Sequence, residues 1–109
     1  MTRLTSRFWV DAYLTQLRLV DIPAFVVMHG DDTAGVVLVK VNTLDGAARL
    51  FQREFSLSDD AYRWVVLTEG SEGEVDSAVL TQRKSDPDLW VIEVEDRAGR
   101  HHLDTPGFA

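Results

Sequence analysis

The stretch "GVVLVKVNTLDG", residues 35–46, decides the fold. Side chains alternate along a strand, so Val37, Val39 and Val41 take one face while Val36 and Leu38 take the other. A strand that is apolar on both faces is normally covered on both. This one therefore reads as a central strand rather than a solvated one. Two polar residues break the pattern, Lys40 and Asn42, and both share the face of Val36 and Leu38. Burying an unpaired ammonium is costly, so Lys40 must snorkel to solvent near the strand end or pair with a carboxylate. The second option sets a Lys40–carboxylate pair beside a cleft, with Asn42 donating to a ligand. "NTLDG" (42–46) then makes a tight connection, and Asp45-Gly46 suits backbone at positive φ.

Upstream, "AFVVM" (24–28) is a second strand with little alternation, separated from the first by the turn residues of "HGDDTAG". Before it, Val10, Tyr13, Leu14, Leu17 and Val20 recur at helical spacing from about Thr5 to Val20, and Phe8, Trp9 and Leu19 widen the stripe. Thr5 or Ser6 caps this helix, and Asp21-Ile22-Pro23 ends it, because a residue before proline avoids the α region.

Downstream, "AARLFQREF" (47–55) is a less apolar strand, and "SLSDDA" returns the chain to "YRWVVLTE" (62–69). Four strands in succession with short links suggest an antiparallel meander. "SEGEVDSAVLTQRK" (71–84) carries a capping-box pattern, Ser71 followed by Glu74, with Arg83 and Lys84 at the negative helix end. Asp86-Pro87 stops that helix. A last strand, Leu89 to Glu95, leads through "DRAG" to "RHHLD", read as a short return strand, and to the tail "TPGFA". Residues 1–104 thus form one α+β domain in the order α-β-β-β-β-α-β, mainly antiparallel and covered by two helices. Residues 105–109 are a flexible tail. If both helices lie on one face, the other needs a partner; homodimerisation through that face or an edge strand is the expectation, with curling of the sheet as the alternative.

The chain has 109 residues, enough for one core. Its 18 acids against 11 Lys and Arg give a formal charge of −7 and a pI near 4.7, which disfavours nonspecific binding to nucleic acid. No cysteine is present, so disulfides, thiolate zinc sites and cysteine nucleophiles are excluded. Arg3 and Arg7 resemble a secretory n-region, but Asp11, Gln16 and Arg18 interrupt any apolar h-region, and a cytoplasmic location is expected.

Three stretches, "SRFWVDAYL", "GVVLVKVNTLDG" and "DPDLWVIEVEDRAGRHHLD", taken in that order, resemble domain-of-unknown-function family 1491. That is a family of small, mostly alphaproteobacterial proteins with no established activity. The likeness spans nearly the whole chain, is specific in the last stretch, and departs from the family between Arg49 and Gly70. It implies an origin and a compact fold, and it supplies no catalytic residues to carry over.

The residues themselves offer two candidate groups. On the last strand Glu93 and Glu95 share a face, opposite Trp90, Ile92 and Val94, and could form a carboxylate pair for acid–base or magnesium work. His102 and Asp104 share a face of the return strand and could supply two metal ligands, whereas adjacent His101 and His102 point apart. The competing account is a solvated edge in which these acids pair with Arg97 and Arg100. The second group is cationic: Lys40 with Asn42, and Arg49, Arg53 and Arg63 on successive strands as an anion site, with Phe51 and Phe55 on the face of Arg49 and Arg53. No phosphate loop, nucleophile elbow, zinc helix or dinucleotide fingerprint is present. The leading expectation is a non-enzymatic protein-binding or regulatory module, with no cofactor, no metal, an unknown protein partner and a homodimer. The alternatives are a metal-assisted hydrolase or lyase using the C-terminal carboxylates and a histidine, and a regulatory domain for an anionic ligand.

Overall fold

A computed structural model describes residues 4–108; Arg3 of the basic N-terminal pair and Ala109 at the end of the tail lie outside the described residues. The chain runs α1 (Ser6–Leu19), β1 (Ala24–Met28), β2 (Val37–Asn42), β3 (Ala47–Ser56), β4 (Ala61–Ser71), α2 (Glu72–Ser85) and β5 (Trp90–Glu95). This is the expected order of elements. Thr5 caps α1 by accepting from the Phe8 N–H at 3.1 Å, while the Ser6 hydroxyl donates to the Gly35 carbonyl instead. Ser71 and Glu74 close the expected capping box on α2.

The five strands lie in the order β1-β5-β2-β3-β4. β2, β3 and β4 form an antiparallel meander, but β1 does not join it as the order of the sequence suggested. β5 occupies the gap, antiparallel to β1 and parallel to β2. The physical reason is that β5 is itself apolar on both faces, with Trp90, Ile92 and Val94 on one and Leu89 and Val91 beside it on the other. A central slot satisfies both. The link from β1 to β2 then has to cross the start of β5. There the Asp31 N–H donates to the Asp88 carbonyl at 2.9 Å and the Trp90 indole N–H donates to the Asp31 carbonyl at 2.7 Å. A Cβ at Gly30 or Gly35 would collide with that Asp88 carbonyl, so the crossing requires glycine at both positions.

The two helices pack on opposite faces, which removes the face-based reason for a partner. Under α1 lie Trp9, Val10, Tyr13 and Leu17 with Val39, Val41, Phe51, Trp90, Ile92 and Val94. Under α2 lie Val75 and Val79 with Leu38, Ala48, Leu50, Leu89 and Val91. Phe8 and Leu19 do not widen the buried stripe of α1, being 59% and 76% exposed. The α1 layer is aromatic: Trp9 stacks on Tyr13 with ring centroids 4.9 Å apart, and Trp64 and Phe108 close around them. The Trp9 indole N–H is the one buried side-chain polar atom without a partner among the described residues.

The C-terminal segment departs from expectation twice. No return strand forms, because His102 takes left-handed backbone (φ 56) and the chain turns from His102 to Thr105. The following residues, expected as a tail, fold back instead. Phe108 packs edge-on against Trp9 and its carbonyl accepts from the Trp64 indole N–H at 2.7 Å. An aromatic layer with an indole donor to satisfy holds the chain there.

Candidate functional site

Lys40 is buried, 3% exposed, on the α2 side of β2. Three carboxylates surround its ammonium: Asp76 at 2.7 Å, Glu72 at 3.1 Å and Glu93 at 3.1 Å. Glu72 and Asp76 stand one turn apart on α2, and Glu93 faces Lys40 from β5 because the parallel register pairs the two residues. Burial alone would lower the lysine's pKa, but the hydrogen bonds it donates to Asp76, Glu72 and Glu93 outweigh it and hold the pKa above its ordinary value. Lys40 is therefore a fixed cation, neither snorkelling nor open as a base. Asn42 belongs to the same group. Its amide donates to Glu72 at 3.1 Å, and its carbonyl accepts from the Leu44 N–H at 2.8 Å, so it serves the turn rather than a ligand. In that turn positive φ falls on Leu44 and Gly46, not on Asp45, whose carboxylate accepts from the Thr43 hydroxyl and the Ala47 N–H.

The four C-terminal candidates separate. Glu93 is held by Lys40 under α2, and Glu95 lies beside Asn42 at the end of β5. His102 and Asp104 line a shallow depression beyond the strand, with Arg100 and Thr105. Arg100 does not pair with Glu93 or Glu95; it grips Asp96 with its side chain and its backbone N–H, which holds the Asp96 carboxyl down at about 2. Among the described residues, no three His, Cys, Asp or Glu side chains are placed to hold a metal ion.

The arginines also divide. Arg49 pairs with Glu69 across β3 and β4 at 3.0 Å. Arg53 lies over the Tyr62 ring at 4.9 Å on the outer part of the same hairpin, near Phe55. Arg63 faces Glu54 in register, on the opposite side of the sheet from Arg53, and bonds Asp59 at 2.8 Å. The three do not make one anion site.

A second concavity, about 550 Å³, lies where the turn after β2 meets the turn after β5. Val41 and Phe51 form its apolar floor, Arg49 and Glu69 stand on one wall, and Arg97 and His101 on the other. His101 is half-buried against Phe51, ring centroids 4.8 Å apart, and its Nδ1 accepts from the Leu103 N–H at 3.0 Å. That bond fixes the neutral tautomer with the proton on Nε2. Burial lowers the His101 pKa, so the ring is neutral at pH 7. Of the candidates named from sequence, only Arg49 is here, with Phe51 from its own face. The sequence offers Arg97 only as a partner for the strand acids, sets His101 aside as a metal ligand because it points away from His102, and singles out neither Glu72 nor Asp76. The spacing of Glu72 and Asp76 could have marked a helix face, but nothing in the sequence says which strand that face covers.

Fold and site together define a small α+β domain, a five-stranded mixed sheet between two helices with an open cleft at one end. The chain belongs to the family described as "Protein of unknown function (DUF1491)", whose model matches residues 4–104. It is similar to a DUF1491 family protein from Caulobacter crescentus CB15. To that protein's crystal structure the identity is 37% and the TM-score 0.84, over 93% of this chain and 95% of that one. To an NMR structure of a DUF1491 family protein from the same organism, the values are 36% and 0.79, over 93% of each chain. The solution structure of protein Atu0922 from A. tumefaciens matches at 30% identity and a TM-score of 0.70, over 86% of each chain. No curated protein matches.

Proposed function

We propose that this protein is a non-enzymatic protein-binding module that accepts an extended strand along the open edge of β1. One observation carries the reading: β1 is an edge strand of five apolar residues, and Phe25, Val26 and Val27 are 46%, 37% and 46% exposed. Native proteins normally blunt such an edge with charge, proline or a covering element. The opposite edge, β4, follows that rule, since it carries Arg63 and Glu69. β1 has only the irregularity at Val27. An added strand would draw affinity from the unpaired main-chain groups and specificity from the apolar side chains, which point to both faces.

A second copy of the chain is the simplest occupant. β1 contains no charge, so antiparallel pairing with itself brings no like charges together within the strand despite the net charge of −7. A cytoplasmic setting goes with this reading, as a chain without cysteine is compatible with a reducing compartment. Among the described residues no helix is long and apolar enough to cross a membrane.

The test compares the native chain with Val26→Lys. Light scattering at high micromolar concentration should give twice the monomer mass for the native chain and the monomer mass for the variant. Affinity capture from the native cell covers a different partner, which should be lost with Val26→Lys and kept with Leu57→Lys at the far hairpin tip. A monomeric native chain, together with identical captured proteins for all three, would sink the proposal.

A further inference from the structure

The cleft between the turns after β2 and β5 shows an asymmetry in its hydrogen-bonding capacity. Each of its two carboxylates already holds a donor on one oxygen. Asp45 accepts from the Thr43 hydroxyl at 2.6 Å and the Ala47 N–H at 3.2 Å, and Glu69 accepts from Arg49 Nε at 3.0 Å. Its donors have more capacity to spare. Arg49 spends only Nε on Glu69, the Arg97 guanidinium makes no hydrogen bond among the described residues and feels only a through-space attraction to the Asp45 carboxylate, and the His101 tautomer leaves Nε2–H to donate. Beneath these donors lie Val41 and the Phe51 ring, with the His101 ring tilted 57° to it. The loop that carries Arg97 is held in place from below, because Asp96 grips Arg100 and donates its own N–H to the Asn42 carbonyl at 3.0 Å.

We propose that this cleft binds a small oxyanion carried on a flat apolar body. Arg97 and Arg49 meet the anionic oxygens, His101 Nε2–H donates a further hydrogen bond, and the apolar part packs on Phe51 and Val41. About 550 Å³ is within the usual range for a small-molecule site. Guanidinium groups pair with planar carboxylates and with phosphates alike, so the oxyanion is the shared chemistry and the probe distinguishes its source. The site is independent of the β1 edge, and neither proposal stands or falls with the other.

The experiment is a titration of the whole chain with sodium benzoate and, separately, inorganic phosphate, followed by NMR at the His101 ring protons and the Ala98 and Gly99 amides. At least one probe should shift these signals saturably, and Arg97→Gln should weaken its binding by about tenfold or more, the usual weight of one charge-assisted pair. Benzoate alone saturating assigns a carboxylate on a ring; phosphate alone saturating assigns a phosphoryl group. Arg97 is exposed, so the variant should keep the native spectrum elsewhere, and Arg97→Glu should abolish the saturable shift. If neither probe saturates, or if Arg97→Gln and Arg97→Glu bind as the native chain does, the proposal is overturned.

Discussion

On the α1 side of the sheet, Trp9, Tyr13, Trp64, Trp90 and Phe108 close the core, and three of their polar atoms reach backbone carbonyls. Tyr13 donates to His101, Trp64 to Phe108 and Trp90 to Asp31. On the α2 side the core is aliphatic, and its polar content is concentrated in Lys40 and three carboxylates. The difference teaches how each face recruits the rest of the chain. Buried aromatic donors need acceptors, and the acceptors they find lie on the loops and the tail, so the α1 layer shapes the ends of the molecule. A buried ammonium needs compensating charge, and it finds that on one helix and one strand, so the Lys40 group sets how α2 is seated.

The sharpest way to break the comparison is on the α2 side. Lys40→Ala removes the one cation among Glu72, Asp76 and Glu93 and should destabilise the fold by about 3 kcal/mol in urea unfolding. Lys40→Met with Glu93→Gln should recover at least half of that, because it removes the most buried of the three carboxylates together with the charge it served. Equal losses for the single and double variants would mean that packing rather than charge compensation seats the helix.

On the α1 side the corresponding test is removal of residues 105–109. It deprives Trp64 of its acceptor and strips Phe108 from Trp9 and Tyr13, and should cost about 2 kcal/mol. Tryptophan emission should shift to the red. A loss below about 0.5 kcal/mol would show that the tail decorates the aromatic layer without supporting it.

The smallest effect concerns the loop on which both layers lean. The Arg100 side chain and backbone N–H hold the Asp96 carboxyl at about 2, below its ordinary 3.8, so its stabilisation is complete above about pH 4 and is lost as the pH falls from there towards 2. Between pH 4 and 2 the native chain should lose stability more steeply than Asp96→Asn when thermal midpoints are compared. Parallel curves would show that the Arg100 grip does not stabilise the loop.

Much of this was readable in advance. The spacing of Val10, Tyr13 and Leu17 marked the face of α1, the Ser71–Glu74 box marked the start of α2, and alternation in β5 separated Trp90, Ile92 and Val94 from Glu93 and Glu95. The sites were less legible. The sequence offers Lys40 two outcomes, snorkelling to solvent or pairing with a carboxylate, and the carboxylates that decide between them lie 32, 36 and 53 residues further along the chain, beyond the reach of any local pattern. The arginines on β3 and β4 looked convergent because each strand was read alone; the register sends Arg53 and Arg63 to opposite faces. Arg97 and His101 carried no motif and became a site only when two turns met.

By itself the sequence determined the two helices, the five strands, their order and which side of each strand is apolar (though not the absence of a return strand), because helix and strand periodicities are local properties of the chain. It also determined the family, through patterns that run along nearly its whole length. Only the tertiary structure decided that β5 enters between β1 and β2, that the helices take opposite faces, that β1 is left at an open edge and that a cleft forms between two turns. Those outcomes depend on which two-sided apolar surface is covered by what, and that competition is settled between segments distant in sequence, not within any one of them.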